Sequence, residues 1–428
     1  MLDRTIAPDF HNAISFEYLL QNCRQDICNN QIPLYWLKAG TQEVIEITFI
    51  FNAGISYEPQ TAVAQAVAGL LKNGTQNQTS FDINKTIELY GATLKVSANN
   101  DFAFVSLYCM SKHAEKILPI IFEILTEAAY SEEELQLFKQ NAIQRLKVNL
   151  LQADFIANRQ IDAMLFGKTH PYGRYTEQQD IEALSSEILL QFQRNFYNAA
   201  NCKIFIAGNF EESIISSVKN IFGNTYWNNT NTNIQKSTIK FSPDTLLQKQ
   251  IDHDPNGVQA AIRMARMAPN RQDDIFPELF VMNCLFGGYF GSRLMTNIRE
   301  DKGYTYGIYS SLFSYTQTGV LLIGSEVGKD VCNAAIAEIK KEMKIMRTVP
   351  VPEEELLLVK NYILGSLLGD LDGPFSILQR WKNLVLNNQS ISTFNRNIEI
   401  YKNITPERIL ELSQIFLDEK DFFELAVL

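Results

Sequence analysis

The feature that most constrains this chain is that it is written twice. The segment SEEELQLFKQNAIQRL (131–146) lines up without gaps on PEEELLLVKNYILGSL (352–367). Each opens on Ser or Pro, residues that start helices, followed by three carboxylates that complement a helix dipole in its first turn. A leucine-rich face follows, with Lys139 and Lys360 in register. A weaker echo joins IELYGATLKVSAN (87–99) to IREDKGYTYGIYSS (298–311), each read as a helix end, a glycine and an alternating strand. Gly91 and Gly303 are expected to stop those helices. A length of 428 residues suits two to four structural units better than one core, and the repeat predicts two similar ones.

Around these anchors the halves share an order of elements. Each begins with alternating strands (43–54; 257–268), then a helix (61–72; 274–287), a second helix, and a hairpin (93–110; 304–327). Long helices close each half, with a late strand at 202–210 or 422–428. Strands interrupted by helix pairs predict an α+β fold, each domain a largely antiparallel sheet with helices on one face. Between the halves lies GNTYWNNTNTNIQKSTIK (223–240), rich in Asn and Thr and poor in aliphatics. The expected domains are therefore 1–222 and 246–428, joined by a linker over 223–245. Two such domains facing each other can enclose a chamber.

Composition removes several function classes. Apolar residues make up 46% and charged residues 20%, the profile of a globular chain. No apolar run is long enough to cross a bilayer; VMNCLFGGYF (281–290) comes nearest and is broken by glycines. A net charge of −10 argues against general nucleic-acid binding. The basic cluster EIKKEMKIMR (338–347) reads as the solvated face of an amphipathic helix. The N-terminus has Asp3 and no continuous apolar stretch with a cleavage site, so a cytoplasmic location is expected. Cys23, Cys28, Cys109, Cys202, Cys284 and Cys332 lack metal-ligand spacing and are expected to be reduced and mostly buried.

The duplicated layout resembles the M16 family of zinc peptidases, which includes insulysin-like and pitrilysin-like enzymes and the mitochondrial processing peptidase. Two motifs carry the resemblance. AVAQAVAGLLKNGT (62–75) is similar to the zinc helix and its closing turn. In active members this helix bears His-x-x-Glu-His, two ligands at i and i+4 with a general base between them. Counted back from Gly74 and Thr75, the ligand positions fall on Gln65 and Gly69 and the base on Ala68. The family's third ligand, a Glu on a later helix, corresponds to Gln144 or Arg145, and no acid lies between Gln140 and Lys147. His11, His113, His170 and His253 have no partner at ligand spacing; His170 lies in HPYGR (170–174), a turn that is structural in the family. No bound metal is expected, with zinc only on a partner.

The second motif, GGYFGSRLMTNIREDKGYTYGIYSS (287–311), is similar to the glycine turn, Ser-Arg-Leu, Leu-Arg-Glu-x-x-Gly and Tyr of the family's second domain. There an Arg and a Tyr reach the substrate held at the zinc of the other half. Arg299 and Tyr306 match them. An Arg presents fixed donors to a carbonyl or carboxylate, and a Tyr hydroxyl can donate to an oxyanion. Against this, Arg299 could cap its helix or pair with Glu300 or Asp301, and Tyr304 or Tyr309 could take the Tyr position. Arg293 is expected to be structural, and GGYFG a turn rather than a phosphate loop.

The resemblance implies two homologous LuxS/metallohydrolase-like domains. It implies the metal-free subunit of a heterodimeric peptidase, giving Arg299, Tyr306 and half a peptide chamber to a partner that carries His-x-x-Glu-His. The competing reading is a scaffold or peptide-binding homologue without a peptidase role, including a homodimer that captures peptides uncut.

Overall fold

The computed structural model describes residues 12–225, 227 and 239–428. Most of the expected linker, at 226 and 228–238, lies outside the described residues, as does His11. Two sheets organise the chain. The first contains β1 (Arg24–Ile27), β2 (Pro33–Lys38), β3 (Val44–Phe51), β4 (Thr93–Ala98), β5 (Ala103–Met110) and β6 (Cys202–Gly208), in the order β1-β2-β6-β3-β5-β4. The second contains β7 (Gln248–Ile251), β8 (Gln259–Ala268), β9 (Thr305–Ser314), β10 (Gly319–Gly328) and β11 (Phe423–Val427), in the order β7-β11-β8-β10-β9.

Both sheets are mixed rather than purely antiparallel. β3 pairs antiparallel with β5 and β6, but β2 runs parallel to β6 and β11 parallel to β7. The late strand of each half thus adds beside an early one. β1 and β2 precede the point at which the sequence pattern starts the sheet. β3, expected to alternate, is buried from Ile45 to Phe51. It lies between two neighbours with both faces covered, where a continuous apolar run replaces alternation. β5, one place further out, keeps the period of two.

The repeated segments form the helices α4 (Glu132–Asn149) and Glu353–Asp370. Ser131 and Pro352 are their N-caps, and the three acids of each occupy the first turn. Leu135 and Leu356 are fully buried, while their register mates Leu137 and Leu358 are exposed. The repeat therefore preserves which face packs as well as which residues occur. Gly91 and Gly303 both adopt positive φ, at 58° and 66°, as helix-stopping glycines do.

Contacts divide the chain into two compact units. One comprises 22–263 together with 373–382 and 423–428; the other comprises 264–372, 383–422 and the stretch up to Gln21. The first has its core where β3 and β6 meet the flanking helices, with the Phe49 ring tilted against Phe222 at 4.6 Å and Phe51 at 4.9 Å from Tyr197. Buried at its sheet centre, Glu46 pairs with Lys382, and Thr48 joins them at 2.8 and 3.0 Å. Burial pulls Lys382 below the usual lysine range. All six cysteines are free and buried, as expected. No helix among the described residues is long and apolar enough to cross a membrane.

Candidate functional site

Helix α1 (Val63–Leu70) carries Gln65, Ala68 and Gly69, the positions that the resemblance compares with a zinc site. It buries Val63, Ala64, Ala66, Val67, Ala68 and Leu70. Gln65 and Gly69, one helical turn apart, form its open face. The helix packs on α4 and β4, so this face looks into a cleft of about 600 Å³. Arg145 of α4 lines that cleft, a cation at the position compared with the third carboxylate; Gln144 is not among its lining residues.

These residues do not fit a zinc ion. A Cβ on Gly69 would lie 2.9 Å from the Phe138 ring, so an aromatic side chain of α4 occupies the space beside the second ligand position. Ala68 is buried and holds no proton-transfer group. Gln65 is the remaining donor, and one carboxamide does not hold zinc. Among the described residues, no three His, Cys, Asp or Glu side chains are grouped as metal ligands.

The anchoring of α1 escapes sequence inspection. Its N-cap, Ala62, is left-handed at φ 77° and offers no side-chain cap. Glu58 substitutes, accepting from the Ala64 N–H at 2.9 Å while Arg174 donates to its other oxygen at 2.8 Å. Burial pushes the Glu58 carboxyl up to about 7, with Arg174 pulling the other way. Arg174 comes from the HPYGR turn. The turn's Tyr172 hydroxyl donates to Asp101 at 2.6 Å, and His170 accepts from the Tyr172 N–H at 3.1 Å.

Arg299 and Tyr306 belong to the other compact unit. The glycine turn is bracketed by two π-helical stretches, Cys284–Gly288 and Met295–Asp301, the second containing Arg299. π-Turns widen the backbone and recur at functional sites. The Arg299 guanidinium lies 4.6 Å over the Phe290 ring and 4.0 Å from Glu300. The chain then turns at Gly303, where the Tyr304 N–H bonds back to Ile298 at 3.0 Å, and enters β9.

There the register with β10 slips: Thr305 faces Val327, and Ile308 faces Ser325. Tyr306 and Gly307 sit opposite the single residue Glu326, a β-bulge of the kind that re-aims a side chain. Thr305 pins it, donating to the Glu326 carbonyl at 2.7 Å and accepting from the Gly307 N–H at 3.0 Å. Tyr306 is 99% exposed. Tyr309, by contrast, packs its ring over Gly324 of β10, where a Cβ would lie 2.5 Å away. Tyr304 is half-buried. Arg293 makes a two-pronged bond to Glu355 at 2.8 and 2.8 Å, the structural role expected of it.

The profile of the family described as "Peptidase M16 inactive domain" matches residues 183–363. Over that stretch the chain is similar to the peptidase M16 family. It is 21% identical over 397 residues to an "Uncharacterized zinc protease YmxG" of Bacillus subtilis, covering 92% of this chain and 95% of that protein. It is 21% identical over 340 residues to a "Non-peptidase homolog YmxG" of Helicobacter pylori, covering 75% and 74%. The fold is that of the crystal structure of a peptidase M16 inactive domain from Pseudomonas fluorescens, with a TM-score of 0.84, 19% identity and coverage of 95% and 98%.

Proposed function

We propose that this M16 chain is the metal-free subunit of a two-subunit peptidase. A second M16 chain bearing His-x-x-Glu-His would supply zinc, and this one would supply Arg299, Tyr306 and half of a peptide chamber. The observation that carries the reading is Tyr306. A tyrosine left 99% exposed on a bulge that its neighbours pin contributes little to its own unit's packing, yet its backbone is held rigidly. That combination suits a hydroxyl that acts on something outside the chain. Arg299, backed by Phe290, would orient the peptide carbonyl or carboxylate beside it. Peptide cleavage would need the partner's metal-bound water, since Gln65, Ala68 and Gly69 cannot activate one.

The test is a reconstituted complex with a zinc-bearing M16 chain of the same host. Arg299→Ala and Tyr306→Phe are each expected to lower kcat/KM by about 10- to 100-fold, leaving complex yield and thermal midpoint unchanged. Full activity in both variants would overturn the pairing. The second reading, a scaffold or a peptide-capturing homodimer, draws support from the Helicobacter pylori relative named as a non-peptidase homologue. It predicts that tagged chain recovers no M16 peptidase and that its eluate has no chelator-sensitive activity.

A further inference from the structure

Beside the degenerate zinc face lies a second, smaller cavity of about 240 Å³, within the same compact unit. Its walls come from the loop before α1, the helix α5 (Ala153–Phe166) and the HPYGR turn. It adjoins the larger cleft, and Gln65, Phe155, Arg159 and Tyr175 line both.

Its lining holds two acids, Glu58 and Asp162, and two arginines, Arg159 and Arg174, but only Glu58 and Arg174 form an ion pair. Glu58 and Arg174 neutralise each other at 2.8 Å. Arg159 has no such partner: among the described residues it makes no ion pair, and its Nη1 is buried without an acceptor. Yet its guanidinium is held firmly. It lies 4.2 Å over the Tyr175 ring and 5.3 Å over Phe155, and donates to the Thr176 carbonyl at 2.9 Å. A rigid, half-buried guanidinium with an unused donor is arranged for an anion. A second unused donor, Nε of Arg174, belongs to the same lining.

We propose that this cavity is a carboxylate-binding site anchored by Arg159, and that it takes the C-terminal carboxylate of a peptide lying in the adjoining cleft. A carboxylate matches the planar fork of Arg, and the small volume suits one terminal residue. Asp162, one turn beyond Arg159 on α5, also lines the cavity, and its carboxyl makes no hydrogen bond among the described residues. Burial pushes its carboxyl up to about 7, so below neutral pH it increasingly offers a proton to an incoming carboxylate rather than a repelling charge. The choice of a peptide as carrier rests on the reading of the chain as half of a peptide chamber; the carboxylate chemistry does not.

The experiment uses the isolated full chain and a fluorescein-labelled hexapeptide of alternating leucine and serine, made as the free acid and as the C-terminal amide. Fluorescence anisotropy is expected to show the acid binding about tenfold more tightly than the amide. Arg159→Gln should abolish that preference and Arg159→Lys should retain part of it, with thermal melts confirming that both variants fold. N-acetylglycine that competes as strongly as the peptide acid would assign the site to free small carboxylates, the same chemistry from another source. Equal binding of acid and amide, no binding of any probe, or an undiminished preference in Arg159→Gln would overturn the proposal. No partner is present, so this failure is separate from that of the two-subunit reading, which rests on Arg299 and Tyr306 in the assembled enzyme.

Discussion

Glu46 and Lys382 are 336 positions apart, and nothing in the local sequence of either marks them as partners. Glu46 sits in a strand whose other residues, Thr48 aside, are apolar, and Lys382 in an ordinary amphipathic helix, Pro374–Leu386. Burial makes them interdependent: either charge alone at 4–5% side-chain exposure loses its hydration without compensation. Lys382→Met is therefore expected to destabilise the chain by about 3–5 kcal/mol. Adding Glu46→Gln should recover a large share of that loss, because the stranded carboxylate is then gone. Urea denaturation of the single and double variants measures both, and equal losses in the two would refute the coupling. The same limit applies to Glu58 and Arg174. Neither stands out in sequence, yet together they cap α1 because Ala62 cannot.

At the scale of the element, α1 was legible as a helix without metal ligands, but its chemistry depends on what α4 places against it. Residue identities alone would imply that writing histidines and a glutamate back into the helix restores a metal site. The packing says otherwise, because Phe138 stands 2.9 Å from where a Cβ at Gly69 would project and Arg145 lines the same cleft. The triple variant Gln65→His, Ala68→Glu, Gly69→His is expected to bind no zinc at micromolar concentration in a chelator-competition titration. Adding Phe138→Ala and Arg145→Glu should bring binding into that range. Tight binding by the triple variant alone would show that Phe138 yields freely. The second motif divides in the same way. Its glycine turn and the Arg299 to Tyr306 spacing were visible in sequence. The bulge that turns Tyr306 out was not, since it arises from a register slip against β10.

Over the whole molecule, the compact unit built on the first half includes two late pieces, 373–382 and 423–428. The second piece contains β11, which pairs with β7 and packs on α5, and Leu428 just after it, whose carbonyl accepts from the His253 N–H at 2.7 Å. A fragment of residues 22–263 would lack these and leave Glu46 unpaired. It is expected to melt without a cooperative transition by circular dichroism; a sharp transition within a few degrees of the full chain would contradict this. What the sequence determined by itself is local and periodic: two α+β halves, the paired helices 131–146 and 352–367, the glycines that end helices, and the absence of metal ligands on α1. These follow from hydrogen bonding and side-chain periodicity within a few turns, so neighbouring residues suffice to state them. Only the tertiary structure decided the parallel additions of β6 and β11, the Glu46–Lys382 pair, the Phe138 ring beside Gly69 and the Arg159 guanidinium held over Tyr175 without an ion pair. Each depends on which distant groups share one low-dielectric space, where a charge or a missing methyl counts for far more than it does along the chain.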